Sequence, residues 1–312
     1  MKYKCPTLFN NPHVATIYPA FFRKIPQKNF QRKRINTEDD DFLDLDFFKQ
    51  GSSKVVIISH GLEGDSQRPY IRGMTNIFFE NGYDVVAWNC RGCSGELNRN
   101  MSFYHSGFTT DLNRVVQEVQ DYQEINLVGF SMGGNITMKF LGETQQYPLA
   151  SKIHRAVAIS KAFDLESCSE ALRHPTNFFY MQNFLMTLKE KVRKKAALFP
   201  DLPVDLDQVK KARNFHHFDN LVTAPLFGYK DAQDYWKQNS AVNYMASIKT
   251  PCLVMSSFDD PFLGESCFPL LNQKYISYDY SPFGGHVGFV QFSKSGFYWS
   301  EERALNFIAH VK

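Results

Sequence analysis

The chain predicts an α/β fold: a mostly parallel sheet flanked by helices, with an inserted helical cap. Three observations carry that expectation. Short apolar runs alternate with amphipathic segments along most of the 312 residues, the pattern of strands and crossover helices. The pentapeptide Gly129-Phe130-Ser131-Met132-Gly133 joins one such run to a helical segment. The stretch from about 163 to 249 breaks the rhythm and reads as several helices lying between two strands.

Taken in order, an N-terminal segment 1–29 leads into residues 30–36 and 42–48, which predict an antiparallel pair. Residues 55–58 form a short buried strand. Residues 69–81 place Ile71, Met74, Ile77 and Phe78 at helical spacing, with Gly82 as the stop. A strand at 84–88 follows, then a helix opened by Thr109-Thr110-Asp111 that carries Leu112, Val115, Val116 and Val119. Strand 125–129, helix 133–146 and strand 155–160 come next. Beyond the helical stretch the alternation resumes at 252–255 and 275–280 and closes with a helix at about 299–311. Because the 163–249 stretch lies between two sheet strands, residues 1–312 are expected to form one domain with that stretch as its cap.

Hydrophobic content of 43% with 21% charge is that of an ordinary globular protein. A net charge of +3, with no basic stripe among the aromatics, excludes a nucleic-acid binder. Aromatic content of 15%, with 29 Phe, favours a large apolar interior or an apolar ligand site. Met1-Lys2-Tyr3-Lys4-Cys5-Pro6 has no apolar h-region, and no segment reaches the roughly 18 apolar residues of a membrane span. A cytoplasmic location is therefore expected. The six scattered cysteines suit reduced thiols. Cys90-Arg91-Gly92-Cys93 follows a strand as an ordinary loop, outside any thioredoxin-like context.

The chemistry starts at Ser131. A serine between glycines on a strand-to-helix turn is held in a strained backbone that exposes its hydroxyl. It needs a base, and the base needs an orienting carboxylate. In the α/β-hydrolase fold the chain order is Ser, Asp or Glu, His. Asp259-Asp260-Pro261 follows the strand at 252–255, and Gly284-Gly285-His286 follows that at 275–280. Of nine histidines, His286 has the position of the base. Asp260 is favoured as the acid, with Asp259 a solvated or turn-capping neighbour. His105 precedes the serine and reads as a hydrogen-bonded structural histidine beside the site. Oxyanion donors are expected at the backbone N–H of Met132 and of Leu62, in His60-Gly61-Leu62-Glu63-Gly64.

These motifs resemble those of the YheT-like branch of the α/β-hydrolases (AB hydrolase 4 family), which includes bacterial hydrolases, eukaryotic lipid esterases and ethanol acyltransferases. The resemblance covers nearly the whole chain. It is carried by Asn11-Pro12-His13-Val14-Ala15-Thr16-Ile17, His60-Gly61-Leu62-Glu63-Gly64, Asn89-Cys90-Arg91-Gly92-Cys93-Ser94-Gly95, Tyr104-His105-Ser106-Gly107, the Ser131 motif, Asp259-Asp260-Pro261-Phe262 and Gly284-Gly285-His286-Val287-Gly288-Phe289. Val14-Ala15 departs slightly from the usual first motif. The resemblance implies that Ser131, Asp260 and His286 are the charge-relay residues and that the chemistry is that of carboxylic esters of acyl substrates.

The expected activity is a serine carboxylesterase or lipase-like hydrolysis of short- to medium-chain acyl esters, through an acyl-enzyme on Ser131. Transfer of the acyl group to an alcohol by the same residues is the first rival, and a catalytically silent binding protein the second. His60, His105 and the cap aromatics Phe178, Phe179 and Phe184 are candidate pocket residues. Lys189, Lys191, Arg193, Lys194 and Lys195 read as a solvated helix face, and Arg91 and Asp111 as loop-fixing residues. His216-His217 with Asp219 is too sparse for a metal centre, and no cofactor is called for. The expected partner is a small acyl ester, with lipid identity, peripheral membrane contact and oligomeric state left open.

Overall fold

A computed structural model describes residues 2–271 and 273–309. The helix α1, Pro12–Phe22, opens the fold. It starts where Asn11 accepts the His13 and Val14 N–H groups and Pro12 takes the first helical position. Strands β1 (Gln31–Asn36) and β2 (Phe42–Phe48) pair antiparallel, as expected. Then come β3 (Lys54–Ser59), α2 (Pro69–Glu80), β4 (Asp84–Asn89), α3 (Thr109–Glu118), β5 (Glu124–Phe130), α4 (Met132–Gly142) and β6 (Ile153–Ile159). Helix α4 is shorter than its expected 133–146. It stops at Gly142, and Pro148 disfavours helix in the residue before it.

Between β6 and β7, the described residues contain no strand. They form α5 (Leu165–Arg173), the long α6 (Phe178–Leu198), α7 (Leu206–Lys211), α8 (Phe215–Phe218), α9 (Ala224–Phe227) and α10 (Ala232–Asn239). Strands β7 (Cys252–Ser257) and β8 (Ile276–Ser281) and helix α11 (Trp299–Ile308) complete the chain. The expected end of the last helix, at 310–311, lies outside the described residues.

The eight strands form one sheet in the order β1-β2-β4-β3-β5-β6-β7-β8. All pairs from β4 to β8 are parallel, while β2 runs antiparallel to both neighbours. The period of two divides the interior cleanly. Val55, Ile57, Leu127 and Val254 face α3 and α4, whereas Val56, Ile58, Val128 and Leu253 face α2 and α11. The stripe Ile71, Met74, Ile77 and Phe78 is buried on the second side, and Leu112, Val115, Val116 and Val119 on the first. Every parallel strand thus ends at the same edge, and the loops there hold the site.

Candidate active site

Ser131 is the residue between β5 and α4, with φ 53° and ψ −119°. A non-glycine residue there costs on the order of 1–3 kcal/mol, which surrounding contacts must offset. The turn closes because Gly133 has no side chain: a Cβ there would lie 2.4 Å from the Ser59 carbonyl oxygen and 2.6 Å from that of His60. The elbow is thus packed directly against the end of β3.

The structure brings Ser131, His286 and Asp260 together. Ser131 Oγ lies 2.9 Å from His286 Nε2. His286 Nδ1 lies 3.0 and 2.9 Å from the two oxygens of Asp260, whose Oδ1 also accepts the Phe262 N–H. Asp260 is buried and His286 nearly so. The Phe262 ring stacks against the imidazole with centroids 4.2 Å apart. Of the two roles expected of Asp259, solvated or turn-capping, it takes one that caps backbone. It is partly buried, and Oδ1 accepts the Gly285 N–H at 3.0 Å, holding the loop that carries His286.

The loop after β3 comes against the elbow: a Cβ at Gly61 would lie 3.1 Å from Ser131 Cβ. It is strapped from three sides. Gly61 N–H donates to Tyr70 Oη, Glu63 N–H donates to Tyr104 Oη, and the Glu63 carboxylate pairs with Lys191 of α6. Among the described residues the N–H groups of Leu62 and Met132 meet no protein acceptor, which leaves both available for an oxyanion. His60 lies beneath this loop and is corrected from the pocket set. It is buried, its Nδ1 bonds the Gly61 carbonyl, and its Nε2 accepts the Cys90 N–H. Burial pushes its pKa down to about 4, so the neutral ring serves as a strut.

An apolar chamber opens beside Ser131 and His286, walled by Leu165 and Leu172 of α5, Phe184 and Leu188 of α6, Phe218 and Trp236. His105 lines it as a neutral ring whose pKa is pushed down to about 3 by burial, and its Nδ1 accepts the Gly107 N–H. Among the described residues of the wall the acid is Asp219, which is pushed up to about 6 by burial and accepts from Trp236 and Thr223. On the other side of Ser131 a second groove runs between α1 and α6, lined by Thr16, Phe21, Tyr180, Asn183 and again Phe184.

Two expectations about α6 are corrected. Phe178 and Phe179 are 56% and 83% exposed and line neither cavity; α6 turns Met181, Leu185 and Leu188 inward instead. Lys191 and Lys195 are buried, not solvated. Lys191 pairs with Glu63, and Lys195 donates to the carbonyl oxygens of Asn98 and Asn100. Arg91 does fix loops, binding Asp111 at 2.7 Å together with Asp39 and Asp41. All six cysteines are free thiols, Cys168 and Cys267 with Sγ atoms 3.3 Å apart. Among the described residues no group of three or more His, Cys, Asp or Glu side chains is placed to hold a metal ion, and no helix is long and apolar enough to cross a membrane.

Several residues that hold the site received no role from the sequence: Thr16 and Phe262, although both lie in quoted motifs, and Ser160 and Lys161. The Asn11-Pro12 start signal could have revealed α1, but no local pattern links Thr16 to His286.

The hydrolase family described as serine aminopeptidase, S33, matches residues 50–266. An Escherichia coli (strain K12) protein bearing the name esterase YheT is 34% identical over 293 residues, covering 90% of this chain and 85% of its own. A Saccharomyces cerevisiae monoacylglycerol lipase is 30% identical over 319 residues, covering 95% and 66% respectively. The solved Pyrococcus furiosus esterase Pf2001 superposes with a TM-score of 0.59 at 18% identity, over 90% of this chain and 91% of that one, and shows the shared fold. The chain belongs to this hydrolase family and is an esterase/lipase-type α/β-hydrolase.

Proposed function

We propose that the protein hydrolyses short- to medium-chain acyl esters through an acyl-enzyme on Ser131. The observation that carries the reading is the continuous relay: Ser131 Oγ to His286 Nε2 at 2.9 Å, and His286 Nδ1 to both oxygens of Asp260. Ser131 Oγ attacks the ester carbonyl carbon while His286 Nε2 takes its proton. The tetrahedral oxyanion is received by the N–H groups of Leu62 and Met132. As the carbon–oxygen bond to the alcohol breaks, His286 returns the proton to the departing oxygen. Water then attacks the acyl-enzyme, gives a proton to His286 and releases the acid, and Ser131 recovers its hydrogen. Asp260 fixes the imidazole tautomer and stabilises its charged form without itself taking the proton.

The two cavities meet at Ser131 and suit the two halves of an ester. The chamber under α5 and α6 is walled by Leu, Phe and Trp and takes the acyl chain. The groove beside α1 takes the alcohol. The 163–249 segment acts as the cap that closes the acyl side from water. The test is a panel of p-nitrophenyl esters of increasing chain length, with fluorophosphonate labelling of wild type and Ser131→Ala. Wild type is expected to label and turn over, and Ser131→Ala to lose labelling and about a millionfold in turnover. Turnover near normal in Ser131→Ala refutes the reading.

A further inference from the structure

The motif Asn11-Pro12-His13-Val14-Ala15-Thr16-Ile17 lies outside residues 50–266, which match the hydrolase family, and the relay does not use it. The structure shows what it touches. Thr16 Oγ1 accepts the backbone N–H of His286 at 2.9 Å, across 270 residues of sequence. Its own proton goes to the Pro12 carbonyl at 2.7 Å, which fixes the hydroxyl and leaves its lone pairs for His286.

His286 needs such help because its loop has no regular structure to hold it. Gly285, Val287 and Phe289 have φ of 60°, 60° and 42°. The neighbours of His286 are tied to the sheet: Gly285 N–H to Asp259, the Gly285 carbonyl to Ser257 Oγ, and Val287 N–H to Ser160 Oγ. The amide of His286 itself is tied to α1. The contact is tight, since a Cβ at Gly285 would lie 2.7 Å from the Pro12 carbonyl oxygen and 2.8 Å from Thr16 Oγ1. A second route runs from α1 to the imidazole ring. His13 stacks on Tyr180 of α6 with centroids 5.8 Å apart and bonds its hydroxyl at 3.2 Å. Tyr180 packs edge-on against Phe262 at 4.7 Å, and Phe262 lies on His286.

We propose that Thr16 is a positioning residue for His286, and that α1 is thereby a working part of the active site. This rests on His286 being the base for Ser131. The amide of His286 is the root from which both imidazole hydrogen bonds are aimed. Releasing it lets the ring drift from Ser131 and Asp260 together. A displacement of about 1 Å at a reacting group can cost about a hundredfold in rate.

The test compares Thr16→Val and Thr16→Ser in the full chain on p-nitrophenyl butyrate, with thermal unfolding measured alongside. Valine keeps the shape and removes the acceptor; serine keeps the acceptor. Thr16→Val is expected to lower kcat at least about tenfold, towards about a hundredfold, with KM within about twofold. Thr16→Ser should return kcat to within about threefold of wild type. Because Thr16 also lines the groove, the split matters: a change confined to KM assigns it to substrate binding and overturns the proposal. So does an unchanged kcat in Thr16→Val, or a Thr16→Ser as slow as Thr16→Val. If Thr16→Val unfolds early, Thr16→Ala, which adds nothing against the Gly285 backbone, is read on the same criteria. An inactive wild type, or an active Ser131→Ala, would instead sink the serine mechanism.

Discussion

Lys161 offers the sharpest test of how the ground beneath the site is built. It follows β6 and is completely buried, and a Cβ at Gly134 would lie 2.9 Å from its own Cβ, so it backs the elbow helix. Its Nζ reaches Ser256 Oγ at 3.1 Å and Tyr280 Oη at 3.4 Å and lies over the rings of Phe163, Phe268 and Tyr280. Among the described residues it forms no ion pair. Burial pushes its pKa down from 10.5 to about 7, against the attraction of Cys267, Asp260 and Cys168. The unfolded chain therefore keeps this proton up to about pH 10.5, and the native one only to about pH 7. Below pH 7 the buried charge opposes folding in full. Between 7 and 10.5 the unfolded state binds more protons, so this group makes stability rise with pH; above 10.5 the penalty is gone. At about 1.4 kcal/mol per pH unit the interval is worth on the order of 5 kcal/mol.

Lys161→Met removes the charge at similar length. It strands no partner, because Ser256 Oγ already donates to the Met255 carbonyl and Tyr280 Oη to that of Pro269. The two lost hydrogen bonds offset about 1 kcal/mol each. The variant should be more stable than wild type by about 3 kcal/mol at pH 6, the gain should fall to nothing near pH 9, and by pH 10 the variant should be the less stable by about 1 kcal/mol. Urea unfolding of both proteins at pH 6, 8 and 10 measures this as the difference in midpoint at equal m. A variant less stable than wild type at pH 6, or a difference that ignores pH, would refute the account of a charge held without a counter-ion.

Gly133→Ala must move either the elbow or the end of β3, because the new methyl meets two carbonyl oxygens at 2.4 and 2.6 Å. It should cost about 1–3 kcal/mol in stability and at least about a hundredfold in kcat; a normal kcat would mean that Ser131 does not depend on this close approach. Leu188→Trp narrows the chamber wall and should shift the kcat/KM ratio of octanoate to butyrate esters down by about tenfold or more, measured on the p-nitrophenyl panel. An unchanged ratio would place the acyl chain elsewhere. Phe179→Asp alters a side chain that is 83% exposed and should leave butyrate hydrolysis within about twofold and stability within about 0.5 kcal/mol; a large loss of turnover would return Phe179 to the substrate path.

What could be read from the sequence divides along a physical line. The sheet was legible because burial on both faces writes itself into short runs such as 55–58 and 125–129, and each run is a local fact. Ser131 and His286 were legible because each sits where the backbone must bend sharply, and the glycines that permit the bend are its neighbours in sequence. Helix α6 shows where this stops. Its charged run looks solvated, yet Leu188, Lys191, Val192 and Lys195 recur at helical spacing and share the buried stripe. The spacing was a local signal that charge obscured. The partners that make burial tolerable, Glu63 for Lys191 and the carbonyls of Asn98 and Asn100 for Lys195, lie about a hundred residues away and leave no mark beside the lysines.

The same argument explains why Asn11–Ile17 could be recognised as a motif without disclosing a role. An Asn-Pro start is a local signal for a helix. A threonine one turn later is an ordinary helical residue until the chain returns, 270 residues on, with an amide that needs an acceptor. Side chains that react need unusual backbone, and unusual backbone needs glycine nearby. Side chains that position the reacting ones need only a good hydrogen-bond distance to something remote. The first kind can be found by reading along the chain; the second, here Thr16 and Ser160, stands 270 and 127 residues from its partner and emerges only when folding brings the two together at the edge of one sheet.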